Sequence, residues 1–222
     1  MGTSKLKDIY TTDKKKLVYR IIFAIIGISI LAIGVSFMRY AVFGVDPVSC
    51  FNIGIAKQLG ISFGTWQLIF CFILLIGVLI FDRSKIGFGT VYIMIAAGYT
   101  SDLFLWLFQN IDFPENLSFE IRIIAFTLGL VFYYLGAAVY IETNMGLAPY
   151  DAVGIIISEK IKRPNWFRWI RIGTDALCVI GGLITQSDAG IGTLLAVLLG
   201  GPLIAFFRKI IMKLKIFKLI QV

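Results

Sequence analysis

The sequence predicts an all-α integral membrane protein made of two homologous halves. Three observations carry that prediction. Hydrophobic residues make up 59% of the 222 residues and charged residues only 15%, with a mean hydropathy of +0.89. A soluble domain carries roughly a quarter charged residues, so this chain could not cover its own surface in water. The apolar residues fall into six stretches of membrane-spanning length, and a set of Gly and Pro motifs recurs in order between the two halves of the chain. The same composition excludes a disordered chain and a small disulfide scaffold.

Taken in order, residues 1–17 form a polar tail ending in Lys14, Lys15 and Lys16, placed on the cytoplasmic side. Apolar stretches follow near 18–38, 65–81, 87–108, 119–141, 168–184 and 189–212. A helix needs about 17–25 such residues to cross roughly 30 Å of hydrocarbon. The first stretch is too long for a signal-peptide core and ends at Arg39 without a small-x-small cleavage site, so it reads as an uncleaved span. A linker spans 109–118, and a basic tail spans 212–222. Lys and Arg gather beside the apolar stretches, which is the loop-charge pattern that orients membrane proteins. The net charge of +8 therefore reads as topology and lipid headgroups, not as a nucleic-acid face.

Two segments, Pro47–Leu59 and Pro149–Ile161, are too short to span, reaching only about 20 Å at 1.5 Å per residue. Each follows a glycine and opens on proline, in Gly44-Val-Asp-Pro47 and Gly146-Leu-Ala-Pro149. Proline at the first helical turn loses no hydrogen bond, and glycine permits a sharp turn before it. Both segments read as half-helices after a kink. The echo extends well beyond them. At an offset of 102, Arg20 falls on Arg122, Gly27 on Gly129, Gly34 on Gly136 and Gly44 on Gly146. At 103, Gly87-Phe-Gly-Thr90 falls on Gly190-Ile-Gly-Thr193 and Gly98 on Gly201. The chain is read as a duplication, with repeats at 18–108 and 119–211. Spanning short segments would give eight spans and parallel repeats; re-entrant ones give six spans and inverted repeats. Each arrangement leaves three of the 21 Lys and Arg on the wrong side. Segment length favours the inverted form, in which half-helices recur at transporter binding sites.

Gly44-Val-Asp-Pro47, Gly64-Thr-Trp66, Gly87-Phe-Gly-Thr90, Asp102, Arg171-Ile-Gly-Thr-Asp175, Gly190-Ile-Gly-Thr193 and Gly201-Pro202 together resemble YczE-type bacterial membrane proteins, relatives of the YitT group. The resemblance begins near residue 18 and covers nearly all of the chain beyond it. The family's first short segment reads Gly-x-x-Pro-Trp-Asp, where Val48 and Ser49 stand here; its second keeps the acid, as Asp151 does. Asp175 fills the place of an acid four residues after Arg171, where the family usually has Glu. The resemblance implies an architecture and assigns no reaction.

An ionisable group at membrane depth costs roughly 2.5–3.5 kcal/mol on insertion scales. Each one therefore marks either a partner or a wet cavity. Arg171 and Asp175 stand one turn apart on one helical face, with Arg168 a turn before them. They read either as a solute site or as a neutralised pair tying helices together. Asp102, inside an apolar helix, reads as a cation or proton ligand or as a bond to a neighbouring helix. Asp151 lies in the first turn of the second short helix, where a carboxylate suits the helix dipole or faces a substrate. Asp46 reads as a cap. Asn52, Glu142 and Asn144 read as vestibule groups or solvated helix ends. The spacing Gly27–Gly34 and Gly129–Gly136 predicts a close helix contact between the halves.

The function expected is secondary transport or facilitated passage of a small polar or amphipathic solute between the repeats. The candidate site residues are Arg171, Asp175, Asp151, Asp102, Asn52 and Arg168. A non-transporting scaffold or activator of a membrane-associated enzyme, and a binding subunit of an ATPase-driven importer, are the alternatives. No enzyme is expected: the chain has no histidine, no P-loop lysine and no nucleophile elbow. No cofactor or metal is expected, since Cys50, Cys71 and Cys178 lie at no ligand spacing. The expected partners are the lipid bilayer, a solute, and a second copy or separate subunit, in a bacterial cytoplasmic membrane with both termini inside.

Overall fold

The computed structural model describes residues 14–110, 117–163, 166–214 and 217. Among them are eight α-helices: α1 (Lys14–Ala41), α2 (Pro47–Leu59), α3 (Phe63–Phe81), α4 (Phe88–Asn110), α5 (Phe119–Thr143), α6 (Pro149–Lys160), α7 (Phe167–Ile184) and α8 (Ile191–Ile211). A short 3-10 turn, Arg83–Lys85, joins α3 to α4. Five helices, α1, α3, α4, α5 and α8, are long and apolar enough to cross a membrane. The 18-residue α7 occupies the remaining expected span and differs from the others in carrying Arg168, Arg171 and Asp175. Most of the polar tail and of the linker lies outside the described residues.

Local sequence explains where the helices start and stop. Asp46 accepts a hydrogen bond from Ser49 N at 3.1 Å ahead of Pro47, and Gly60, at φ 66°, ends α2 in the left-handed conformation. Ser62 caps α3 by accepting from Thr65 N at 3.2 Å. The carbonyls at the end of α1 are held by a residue from the other half of the chain. Arg122 donates to Ala41 O at 2.9 Å and to Val42 O at 3.0 Å, a favourable cation at a helix C-terminus.

At the centre α1 and α5 cross antiparallel. Gly27 lies against Gly136 and Tyr140, while Gly34 lies against Gly129 and Tyr133. A Cβ at Gly27 would come within 2.8 Å of Tyr140 N, and one at Gly129 within 2.9 Å of Met38 N. Backbone meets backbone here, which only glycine allows. The predicted glycine contact is therefore present. Helix α4 flanks α1 and α8 flanks α5, extending the pair into a row. The remaining helices close into a ring: α2 packs on α3, α3 on α6, α6 on α7 and α7 on α2.

The row and the ring are joined by two matching clasps. Gly44 (φ 111°) and Gly146 (φ 107°) make the turns ahead of the two proline-led helices. Gly89 N donates to Met145 O at 2.8 Å, and Gly192 N donates to Phe43 O at 2.8 Å. So each Gly-x-Gly-Thr helix start grips the turn of the opposite half. The two halves differ elsewhere. Helix α3 packs directly on α4, with Gly64 against Gly98. Between α7 and α8 lies instead an apolar groove of about 230 Å³, lined by Val179, Leu183, Thr193, Leu194 and Val197. One position in the basic C-terminal tail is also built into the fold: Phe217 is buried, 4.8 Å from the Phe23 ring.

Candidate functional site

The interior of the four-helix ring is polar. On α7, Arg171 pairs with two carboxylates, Asp151 of α6 and Asp175 one turn along its own helix, the latter at 3.2 Å. Tyr150 of α6 donates its hydroxyl to Asp175 Oδ1 at 2.8 Å, and the Arg171 guanidinium sits 4.7 Å from the centre of the Tyr150 ring. Cys178, a turn beyond Asp175, lies 3.8 Å from the Tyr150 hydroxyl. From the other half, Asn52 of α2 donates its amide to Gln67 of α3 at 2.5 Å, and Gln67 reaches Cys71 Sγ at 3.7 Å. Cys71 is within electrostatic reach of Asp151, and the two sets stand on the packed helices α3 and α6. Charges at this depth persist because each finds a partner; an isolated ion there would cost several kcal/mol.

Asp46 faces the same interior. It is 4% exposed and within electrostatic reach of Asp175 and Arg171 on α7, and of Tyr133 and Tyr134 on α5. Its Oδ2 caps α2, while its Oδ1 accepts no hydrogen bond from the described residues. Asn52 is fully buried, and its Oδ1 is likewise without a hydrogen-bond partner among them. Burial pushes the Asp46 carboxyl up from its ordinary value, and Asp175 adds to this. The Ser49 hydrogen bonds and Arg171 pull it the other way without cancelling the rise.

Of the six candidate residues, the structure gathers Arg171, Asp175, Asp151 and Asn52 into the ring. It sets Asp102 and Arg168 apart. Asp102 takes Arg39 of α1 at 2.7 Å and accepts from Gly64 N of α3 at 2.7 Å, so it ties three helices together. Arg168 is exposed on the first turn of α7. Glu142, read as a vestibule group or a solvated helix end, is buried and bonded to Arg208 Nε at 2.5 Å, locking α5 to α8. Asn52 is no vestibule group either, since no part of it reaches solvent.

A cavity of about 520 Å³ opens where α1 ends and α4 finishes. Arg39, Gly44, Val45, Ile53, Gln109 and Asp188 are among its walls. Gly44 and Val45 directly precede Asp46, so this cavity ends at the threshold of the ring. Its size lies within the range of roughly 300–1,000 Å³ typical of small-molecule pockets.

A family model described as "Family of unknown function (DUF6198)" matches residues 18–209. The chain belongs to that family. Among relatives of this DUF6198 protein, "Uncharacterized protein YyaS" of Bacillus subtilis is 34% identical over 189 residues, covering 84% of this chain and 90% of the relative. "Uncharacterized membrane protein YczE" of the same organism is 28% identical over 195 residues, covering 87% of each. A third relative, from Haemophilus influenzae, is 26% identical over 205 residues, covering 91% of this chain and 88% of its own. No solved structure matches. The resemblance to YczE-type proteins thus holds, and with the apolar helices it makes this a multi-pass membrane protein.

Sequence reasoning missed Tyr150, Gln67 and Cys71 as members of the site, and took Asp46 only as a cap. Tyrosine, glutamine and cysteine carry no formal charge, so a search for intramembrane ions passes over them. A usable signal was position: Tyr150 follows Pro149 directly and neighbours Asp151 in the first turn of α6.

Proposed function

We propose that this DUF6198 protein is a secondary transporter or facilitator of a small polar or amphipathic solute. It works by binding and passing that solute through the ring of α2, α3, α6 and α7, and not by catalysis. The observation that supports this reading is that both halves of the chain contribute polar groups to one ring, where Asp46 and Asn52 are buried and Arg171 and Asp151 are about a third exposed. Packed structural ion pairs join neighbouring helices and leave no acceptor empty. Here two buried oxygens, on Asp46 and Asn52, lack hydrogen-bond partners among the described residues, and a cavity is lined by their chain neighbours Val45 and Ile53.

We further propose inverted repeats and six spans, with α2 and α6 re-entrant. Support comes from the antiparallel crossing of α1 and α5. If α2 spanned, three crossings would separate α1 from α5 and the two would run parallel; with α2 re-entrant, two crossings separate them. In that arrangement both termini face the cytoplasm, and Arg39, Lys57 and Arg122 lie outside. Arg39 and Arg122 then have structural reasons for their positions, as partner of Asp102 and as cap of α1.

Thermal unfolding of the purified protein against a panel of amino acids, vitamins, nucleobases and organic ions tests the transport reading, because a ligand of the folded state raises its stability by mass action. A dose-dependent shift that Asp175→Asn abolishes supports it and calls for flux assays in vesicles. A flat response across the panel, with flux of none of its members, favours the scaffold role instead. Topology is tested with a membrane-impermeant thiol reagent on Asn110→Cys, since the native cysteines are buried. Labelling from outside supports inverted repeats, and labelling only from the cytoplasmic side overturns them.

A further inference from the structure

The ring carries an unequal charge balance. Asp46, Asp151 and Asp175 face one guanidinium, Arg171, and that guanidinium is already taken by Asp151 and Asp175. An anion entering the ring would meet three carboxylates against one guanidinium, with no further cation to compensate Asp46. A cation meets the opposite situation. Asp46 Oδ1 is buried and accepts no hydrogen bond from the described residues, and the fully buried Asn52 offers a second empty acceptor. Tyr133 and Tyr134 lie within electrostatic reach of Asp46 and bring no positive charge to it. The cavity outside the threshold adds Asp188, while its one guanidinium, Arg39, is paired to Asp102.

We propose that Asp46 is an exchange site, holding a proton when the ring is empty and a monovalent cationic group, inorganic or organic ammonium, when it is occupied. This inference rests on the transport reading above and assigns its solute class. The step is an acid dissociation coupled to binding. The carboxyl O–H bond breaks, the proton leaves through the cavity to water, and the carboxylate so formed pairs with the incoming cation. No electron changes hands and total charge is conserved, so each cation bound releases one proton. The groups that face Asp46 fit this exchange. Ser49 and Cys50 on α2, Tyr133 and Tyr134 on α5 and Cys178 on α7 carry no positive charge, and on α7 Arg171 is shared between Asp175 and Asp151 of α6, which leaves that cluster one negative charge in excess. A buried carboxyl beside such an excess favours its protonated form until a cation replaces the proton.

The test is proton release from purified protein in weak buffer near neutral pH, titrated with sodium, potassium, methylammonium or tetramethylammonium ions. The expected result is saturable release, one proton per cation bound, with a matching rise in thermal stability for at least one probe. The metal ions and the ammonium ions separate inorganic from organic specificity. Asp46→Asn abolishes the release while keeping the fold, because asparagine caps a helix as well as aspartate does. An infrared band of a protonated carboxyl that fades as the cation saturates gives a second readout on the unaltered protein. If no cation releases protons or stabilises the protein, the inference falls. Should neutral or anionic solutes bind in that same case, the transport reading survives it; should nothing bind at all, both fall together.

Discussion

Replacing Gly27 with alanine tests the central crossing on which the arrangement of the halves depends. The added methyl carbon would lie 2.8 Å from Tyr140 N, 2.9 Å from Val139 Cγ1 and 3.0 Å from Gly136 O, where ordinary contact begins near 3.4 Å. Two of those three neighbours are backbone atoms and cannot rotate away. Helices α1 and α5 must therefore part by about 0.6 Å at that point, a gap that forfeits about a quarter of the dispersion attraction between facing atoms. Helix association in lipid has no hydrophobic drive and depends on such packing, so the cost is set at about 1–3 kcal/mol, the usual range for overpacking. Gly77→Ala in α3 is the control, because nothing lies within 4 Å of its added methyl; there the change is neutral or stabilising by up to about 1 kcal/mol. Unfolding in mixed micelles of mild detergent and dodecyl sulfate, followed by tryptophan fluorescence, gives both values. If Gly27→Ala is as neutral as Gly77→Ala, the crossing is not close-packed and the antiparallel argument for six spans loses its support.

Three further predictions concern the charged groups. Arg171→Gln strands Asp151 and Asp175; because Arg171 and Asp151 are about a third exposed, solvent screens part of the loss, which is expected to be about 1–3 kcal/mol in the same unfolding assay. Most of that returns when Asp151→Asn and Asp175→Asn are added; no recovery would mean that Arg171 does more than neutralise them. Asp102→Ala leaves Gly64 N–H without its acceptor and the Arg39 guanidinium with Ser101 Oγ but no carboxylate, and is expected to lose about 1.5–3 kcal/mol without altering solute binding in thermal-shift assays. The pH dependence of stability should show Asp46. Its carboxyl holds its proton to higher pH when folded than when unfolded. Ionisation of the unfolded chain therefore destabilises the fold as pH rises above the ordinary value of 3.8, and the loss levels off once the folded carboxyl also ionises. Asp46→Asn removes that slope, so the unfolding temperatures of the two proteins should diverge with rising pH and converge in acid. Parallel curves would show that Asp46 ionises alike in both states.

Most of the helical plan was legible because the bilayer constrains it so tightly. Spans must be apolar for about 20 residues, and the two proline-led segments announce their own starts; α2 begins and ends where the sequence places it, at Pro47 and Leu59. The glycine pairs of α1 and α5 could be read because close approach has a one-residue signature. Partner choice was less legible. The sequence leaves Asp102 open between a ligand role and a bond to another helix, because its partners, Arg39 and Gly64, are 63 and 38 residues away. Glu142 misled for a similar reason. It sits at the end of an apolar run, where solvent is the natural expectation, and only the return of α8 brings Arg208 over it.

The recurring motifs explain why the frame could be read and the site could not. Residues that recur at the 102 and 103 offsets include those that shape backbone: the crossing glycines, the turn glycines Gly44 and Gly146, the prolines, and the threonines Thr90 and Thr193. Residues of the polar ring do not recur. Asp46 faces Ala148 across the offset, Tyr150 faces Val48, Asn52 faces Gly154, Gln67 faces Ile170 and Asp175 faces Phe72. The two halves share this backbone geometry and differ in chemistry, so that one contributes amides and a carboxyl to the ring, the other an ion network. The polar groups that tie helices outside the ring do not recur either: Arg39 faces Ile141, Asp102 faces Ala205 and Glu142 faces Tyr40. Those groups, however, have their partners within the bundle, Arg39 with Asp102 and Glu142 with Arg208. Asp46 and Asn52 each keep a buried oxygen without a hydrogen-bond partner among the described residues. A break in the recurrence therefore points to function only where the polar group it introduces is left unsatisfied, and that singles out the ring and the carboxyl of Asp46.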